Sequence, residues 1–223
     1  MVGHGFSRGA SDTGASRLTR VMVMAMNSNH ARLCPSPEWA EHIQNEILPE
    51  VTHGIDLGQH MLEIGPGPGA ATEWLRQRVR DLTVVELDEE AAAKLTERYA
   101  GTNVHVAIGS AAELGYPDES FDSVGTFTML HHIPTLALQN KVLAEAFRVL
   151  RPGGVLVGSD SLPSNDLHHF HVDDTYNPLE PAALLTRLQT IGFAKVAITV
   201  DWTLKFAATK AAPPGASDGP DRA

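Results

Sequence analysis

The run LEIGPGPG, from Leu62 to Gly69, places three glycines at alternate positions behind an acid, Glu63. Glycines at 65, 67 and 69 let a chain turn sharply and approach a ligand closely. Helical character begins at Ala70, so the unsatisfied N–H groups and positive dipole end of that helix face whatever the turn holds. The spacing Gly65-x-Gly67-x-x-Ala70 also satisfies the dinucleotide fingerprint G-x-G-x-x-G/A. A turn that merely packs strand against helix is the plainer alternative. Two features point away from a pyrophosphate. Glu63 would repel it and would instead attract a ligand that carries positive charge. Pro66 and Pro68 remove two backbone N–H donors that a phosphate cradle would use. Further on, Glu86 closes the run VVELD, and a carboxylate at a strand end is placed to accept both hydroxyls of a ribose. Asp88 either shares that role or begins the next helix as its N-cap. Strand-end geometry favours Glu86.

Histidines supply the candidate bases. His131, in LHHI, falls at the mouth of the expected sheet; the alternative is a structural histidine bonded to backbone. HHFHVDD, from His168 to Asp174, offers a second candidate in His168, because imidazole titrates near physiological pH. The same run has nitrogen and carboxylate ligands close together, or is simply a solvated polar loop. Its spacing matches no metal motif, and no metal is expected. His30 and Cys34, in NHARLCPSP, belong to a segment expected to cap the pocket, with Cys34 read as a packed or turn residue.

The elements that must position these residues alternate. Ser36-Pro37-Glu38 starts a helix with a capping hydroxyl, a proline at the first helical position and an acid in the first turn. Trp39, Ile43 and Ile47 give that helix one apolar face. Strands are expected over 60–65, 82–87, 104–108, 121–128 and 155–160, and helices over 70–80, 89–99 and 136–150, the last stopped by Pro152-Gly153-Gly154. A loop to about Asn177, a helix over 180–191 and strands over 194–200 and 203–209 complete the pattern. Strands alternating with helices of this length imply a parallel sheet with right-handed crossovers. Only Asp201-Trp202 separates the last two strands, a hairpin-length link that makes the last one antiparallel. Residues 1–20 and 211–223 read as loose tails, 21–58 as a helical cap segment and 59–210 as the ligand-binding domain. The methionines at 22, 24 and 26 offer an alternative natural start.

Composition narrows the partners. The chain has 223 residues, 43% hydrophobic and 20% charged, suited to one large α/β domain. The formal net charge of −10, from 17 Lys+Arg against 27 Asp+Glu, argues against a nucleic-acid substrate, which calls for a basic stripe. The nearest basic cluster, Arg76, Arg78 and Arg80, reads as the solvated end of a helix. A single cysteine excludes an internal disulfide and fits a cytoplasmic protein. VMVMAM, from Val21 to Met26, is too short for a signal-peptide core, and no run approaches the roughly 20 apolar residues of a membrane span.

Taken in order, LEIGPGPG, VVELD, GSAAEL (Gly109 to Leu114), FDSVGTFTMLHHI (Phe121 to Ile133) and LRPGGVLV (Leu150 to Val157) resemble the class I S-adenosylmethionine-dependent methyltransferases. The resemblance is greatest to the small-molecule group that includes the ubiquinone and menaquinone biosynthesis enzymes, and it spans about Met61 to Lys210. It implies a Rossmann-like α/β fold: a seven-stranded, mostly parallel sheet with an antiparallel last strand and helices on both faces. It further implies that Glu63, Gly65, Gly67 and Gly69 surround the methionine part of S-adenosylmethionine and that Glu86 holds the ribose. Leu87 would pack on the adenine and Ala111 would offer it a backbone N–H. Ser110 stands where the family usually has an aspartate for the adenine amino group, and Phe127 and Thr128 would line the methionine side. The implied reaction transfers the sulfonium methyl to a small-molecule acceptor and leaves S-adenosylhomocysteine. A non-catalytic binding protein of the same fold and a nicotinamide-dependent oxidoreductase are the competing readings. Monomer and dimer both stay open.

Overall fold

Hydrophobic runs flanked by amphipathic helices assemble here into one seven-stranded sheet, seen in a computed structural model that describes residues 27–212. The strands are β1 (His60–Ile64), β2 (Asp81–Glu86), β3 (Val104–Ile108), β4 (Phe121–Phe127), β5 (Leu150–Asp160), β6 (Phe193–Val200) and β7 (Leu204–Lys210). Their order is β3-β2-β1-β4-β5-β7-β6. Neighbours among β1 to β5 pair in parallel, while β7 runs antiparallel to both β5 and β6. The strand order therefore reverses beside β1, where β2 lies on one side and β4 on the other. In an open α/β sheet that switch point is where ligands bind, outside the carboxyl ends of the strands.

The alternation of side chains across the sheet builds two cores. Leu62, Ile64, Val85, Val124 and Leu156 pack on one face beneath Val142, Leu143 and Ala146 of one helix and Leu184 and Leu188 of another. Those helices are Leu136–Val149 and Pro181–Ile191. Met61, Val84, Phe127 and Val157 point the other way, onto Ile43, Ile47, Leu48, Ala71, Leu75 and Leu95. Period-2 residues thus serve both faces, as a strand covered on both sides requires.

The N-terminal part of the description is helical: Ser28–Leu33, then Pro37–His42 running through a π turn at Ile43–Ile47 into Leu48–Val51. Ser36 caps Pro37–His42 by accepting from the Trp39 N–H at 3.2 Å. The π turn sits just before Pro49, whose missing N–H and bulky ring oppose a regular continuation. The two expected tails lie outside the described residues except for Ala211 and Ala212, as do Met22, Met24 and Met26.

Three elements depart from the sequence expectation. The helix after the glycine turn spans only Ala70–Leu75, because the Asn103 amide takes up the carbonyls of Arg76, Val79 and Arg80 at 2.8, 3.0 and 3.2 Å. Pro152-Gly153-Gly154 ends its helix but lies inside β5 rather than before it. The β4–β5 register shifts between Phe121 and Ser123, so Arg151 to Gly154 form a bulge, and Gly153 there has φ +83°. Within the stretch read as a loop, Asn165–Phe170 is a short helix capped by Ser164, which accepts from Leu167 N–H at 3.1 Å. The arginine cluster behaves as expected of a solvated helix end. Arg76 pairs with Glu73, Arg80 with Asp81, and Arg78 stacks on Trp74.

Candidate functional site

A cavity of about 760 Å³ opens at the carboxyl ends of β1, β2 and β4. That size is in the range of small-molecule and cofactor pockets. Its floor is the glycine turn. Gly65, Gly67 and Gly69 all have positive φ (66°, 53° and 87°), and Gly69 N–H closes the turn on the Pro66 carbonyl at 2.9 Å. Gly69 is then the N-cap of Ala70–Leu75, with no side chain of its own to occupy the helix end. Its carbonyl accepts from the Tyr99 hydroxyl at 3.1 Å, which pins the turn to the neighbouring helix Glu89–Arg98.

Glu63 lines the cavity from inside the sheet and is only 2% exposed. Its Oε2 accepts from the Thr72 hydroxyl at 2.7 Å. Burial pushes its carboxyl up to about 7; the Thr72 hydrogen bond opposes that rise and the nearby Glu86 adds to it. A buried acid held near neutrality at the mouth of a sheet is electrostatically matched to a cationic group. Glu86, at the end of β2, also lines the cavity, and its Oε1 accepts from the N–H groups of Leu87 and Asp88 at 2.8 and 3.0 Å. Asp88 has the other role considered for it: it caps Glu89–Arg98, accepting from Ala91 N–H at 2.8 Å.

Leu87, Ser110, Ala111, Phe127 and Thr128 reach the same cavity wall. Nine of the ten residues expected at the cofactor thus line one cavity, and the tenth, Gly69, caps the helix that starts beside it. The Ser110 hydroxyl is turned to its own loop, accepting from Ala112 N–H at 3.3 Å. Thr128 is held at φ +51°, a left-handed conformation unusual for a β-branched residue. Its N–H donates to the Ser159 carbonyl at 2.8 Å, which fixes the exit of β4 against β5.

The histidines fall differently from expectation. His131 is buried and absent from the cavity wall; its Nδ1 sits 2.6 Å from Asp160 Oδ1, so its partner is a carboxylate inside the fold. His168 is exposed on the short helix Asn165–Phe170 and does not line the cavity. His132, which sequence reasoning passed over, is the histidine on the wall. Burial and the three neighbouring histidines hold its imidazole far below the usual range, so it is neutral. His30 and Cys34 also part company: Cys34 lines the cavity and His30 is buried beside His132. Burial raises the Cys34 thiol, which keeps it protonated and apolar.

Other wall residues lie outside the expected site set. Met129 packs against Gly65, and Ala31, Trp39 and Ile43 come from the N-terminal helices. The turn Leu130–His132 that carries both histidines is held by Gln139, 1% exposed, whose amide donates to the carbonyls of Leu130 and Asn177 at 2.9 and 2.8 Å. Gln139→Leu leaves both carbonyls without that donor and should cost about 1–3 kcal/mol of unfolding free energy, read by urea denaturation. An unchanged midpoint would show that the turn holds itself.

Residues 62–158 match the model of a family described as a methyltransferase domain. The chain is 34% identical over 143 residues to a probable S-adenosylmethionine-dependent methyltransferase of Mycolicibacterium smegmatis, covering 61% of this chain and 52% of that protein. It is 32% identical over 112 residues to a ubiquinone/menaquinone biosynthesis C-methyltransferase of Rickettsia akari, covering 46% and 44% of the two chains. The chain thus spans about half the length of these curated relatives. In fold it is similar to phosphoethanolamine N-methyltransferase 2 of Haemonchus contortus, solved with S-adenosyl-L-methionine. That likeness has a TM-score of 0.64 at 17% identity and covers 78% of this chain and 56% of the other. Among the described residues no helix is long and apolar enough to cross a membrane. From the glycine turn into β5, this chain is therefore similar to S-adenosylmethionine-dependent methyltransferase domains.

Proposed function

We propose that the protein methylates a small, largely apolar acceptor that shares the 760 Å³ cavity with S-adenosylmethionine. The observation that carries this reading is Glu63: a buried carboxyl whose side-chain hydrogen bond among the described residues is to Thr72, beside a turn of three positive-φ glycines. A ligand with an ammonium and a sulfonium fits that acid, and a pyrophosphate does not. When bound, S-adenosylmethionine would supply an electrophilic methyl, whose carbon would bond to an acceptor lone pair in line as the carbon–sulfur bond breaks and the sulfur leaves with the bonding pair as S-adenosylhomocysteine.

The chain's own residues supply binding and position. Glu63 and the glycine turn hold the amino-acid end, Glu86 the ribose, and Leu87, Ser110 and Ala111 border the base. Phe127, Thr128 and Met129 close the cavity between cofactor and acceptor. Holding nucleophile and methyl at near-attack distance is worth up to about 7–11 kcal/mol, so no side-chain base is required for an acceptor that is already nucleophilic. The apolar character of Trp39, Ile43, Met129 and Ile133 on the wall favours a hydrophobic or planar acceptor and excludes bulk water from the reacting atoms.

Calorimetric titration with S-adenosylmethionine and S-adenosylhomocysteine tests the proposal. Both should bind in the micromolar range. Glu86→Ala removes an acceptor for two hydroxyls and should weaken both about tenfold to several hundredfold. Transfer of a labelled methyl group to a panel of apolar acceptors then tests turnover. Absence of binding to either ligand would overturn the reading.

A further inference from the structure

Four histidines from three separate segments meet beside the cavity. His30 comes from Ser28–Leu33, His131 and His132 from the turn after β4, and His171 from the end of Asn165–Phe170. One ring nitrogen of each lies within 4.8 Å of the corresponding nitrogen of the others. His30, His131 and His171 are buried, and His132 partly so. We propose that His30, His131, His132 and His171 are the ligands of a divalent transition-metal ion of the zinc and cobalt kind.

Nδ1 of three of these rings faces an oxygen of the protein. His131 Nδ1 lies 2.6 Å from Asp160 Oδ1, and His171 Nδ1 lies 2.6 Å from the Leu167 carbonyl. His30 Nδ1 is 2.7 Å from Asp174 Oδ2, an ion-pair contact rather than an aligned hydrogen bond. A metal-bound histidine almost always gives its second nitrogen to a carboxylate or a carbonyl, which fixes tautomer and ring orientation. His131 and His171 show that arrangement, and His30 sets its Nδ1 against a carboxylate. With Nδ1 committed, Nε2 of His131, His171 and His30 carries a lone pair, and His171 Nε2 is buried without a hydrogen-bond partner. Converging lone pairs repel one another, whereas a cation among them turns each into a bond.

The chemistry selects the ion. Neutral imidazole suits zinc, copper, nickel and iron, while calcium and magnesium require oxygen. Tetrahedral zinc with Zn–N bonds of about 2.0–2.1 Å sets ligand nitrogens roughly 3.3 Å apart, so small ring rotations would close the present spacing. Four protein ligands fill the tetrahedron, which marks a structural rather than a catalytic ion. Such an ion would clasp the N-terminal helix, the turn after β4 and the loop after β5 together. Ala31, Cys34, His132 and Thr175, all from those segments, form part of the cavity wall.

The test uses the full chain without a histidine tag, stripped with a chelator and titrated with Co²⁺ and then Zn²⁺. One equivalent of Co²⁺ should bind with the intense visible absorption of a tetrahedral site, and Zn²⁺ should displace it. Excess Zn²⁺ should raise Tm by about 5 °C or more. His171→Ala should remove stoichiometric binding, and Asp160→Asn should weaken it about ten- to hundredfold by loosening His131. The exposed pair His168→Ala and His169→Ala should change neither. A wild-type chain that binds no equivalent of Co²⁺, or binds it with an octahedral spectrum, overturns the proposal without recourse to any variant. Undiminished binding by a folded His171→Ala overturns it as well.

Discussion

Glu63→Gln should weaken S-adenosylmethionine binding about ten- to hundredfold at pH 8 and erase the pH dependence of that binding, both read by calorimetry between pH 5.5 and 8. The magnitude follows from losing a charge-assisted hydrogen bond, worth about 1.5–3 kcal/mol. The pH dependence follows from linkage. Burial raises the Glu63 carboxyl from an ordinary value of 4.5 to about 7 in the free protein. A carboxyl raised on folding opposes stability as pH rises: its penalty is absent below about 4.5, grows between 4.5 and 7, and levels off above 7. A cationic ligand needs the ionised form and pulls the group back down, so binding below pH 7 must release a proton. The Kd of the wild type should therefore fall as pH rises, by up to tenfold per unit, and flatten above about 7. Gln carries no charge at either end of that range, so its affinity stays level. The free variant should melt no lower than the wild type at pH 8, because it is relieved of a buried charge while Thr72 keeps an oxygen to bond. A wild-type Kd that is level from pH 5.5 to 8 would sink this account.

The motif that carries Glu63 was legible because everything it needs is local. A strand, three glycines and a helix start lie within about a dozen residues, and positive φ at Gly65, Gly67 and Gly69 is what such a run requires. The seven strands and their antiparallel ending were legible for the same reason: period-2 runs, and a link of two residues between the last two. The failures involve partners distant in sequence. Asn103 ends the helix Ala70–Leu75 from beyond the next helix. Nothing in LRPGG says that β5 already pairs through Leu150, since that depends on Phe121 lying opposite. Asn165–Phe170 is six residues long, too short for periodicity to register.

The histidines show the same limit at the level of chemistry. His131 was placed correctly in the chain, at the exit of β4, yet the side chain at the cavity belongs to His132. A one-residue step in the tight turn Leu130–His132 decides which ring faces inward, and Asp160 at the end of β5 decides which is held there. HHFHVDD was read as one unit, but His168 is exposed while His171 joins His30, more than a hundred residues earlier. Metal-ligand spacing rules see close pairs such as C-x-x-C. They are blind to four ligands brought together by a sheet.

Gly65→Ala and Gly67→Ala separate the two functions of the glycine turn, since they should fail in different ways. Both positions have left-handed φ, 66° and 53°, so each substitution costs about 1–2 kcal/mol for its backbone alone. They differ in what the new methyl meets. At Gly65 it would overlap Cγ of Met129, near the root of that side chain, where flexibility of the thioether end gives little relief. Overpacking of this kind adds about 1–3 kcal/mol, and a displaced Met129 enters the cavity it now borders. Gly65→Ala should therefore lower Tm by roughly 5–15 °C and weaken S-adenosylmethionine binding more than tenfold. At Gly67 no protein atom lies within 4 Å of the added methyl, yet the residue lines the cavity. Its methyl occupies space that a ligand held against the turn would need. Gly67→Ala should thus lower Tm by only a few degrees and still lose at least tenfold in affinity. Thermal melting and calorimetry on the pair distinguish the cases. If Gly67→Ala binds as tightly as the wild type, the ligand does not approach the turn closely, and the backbone of Gly67 is needed only for its shape.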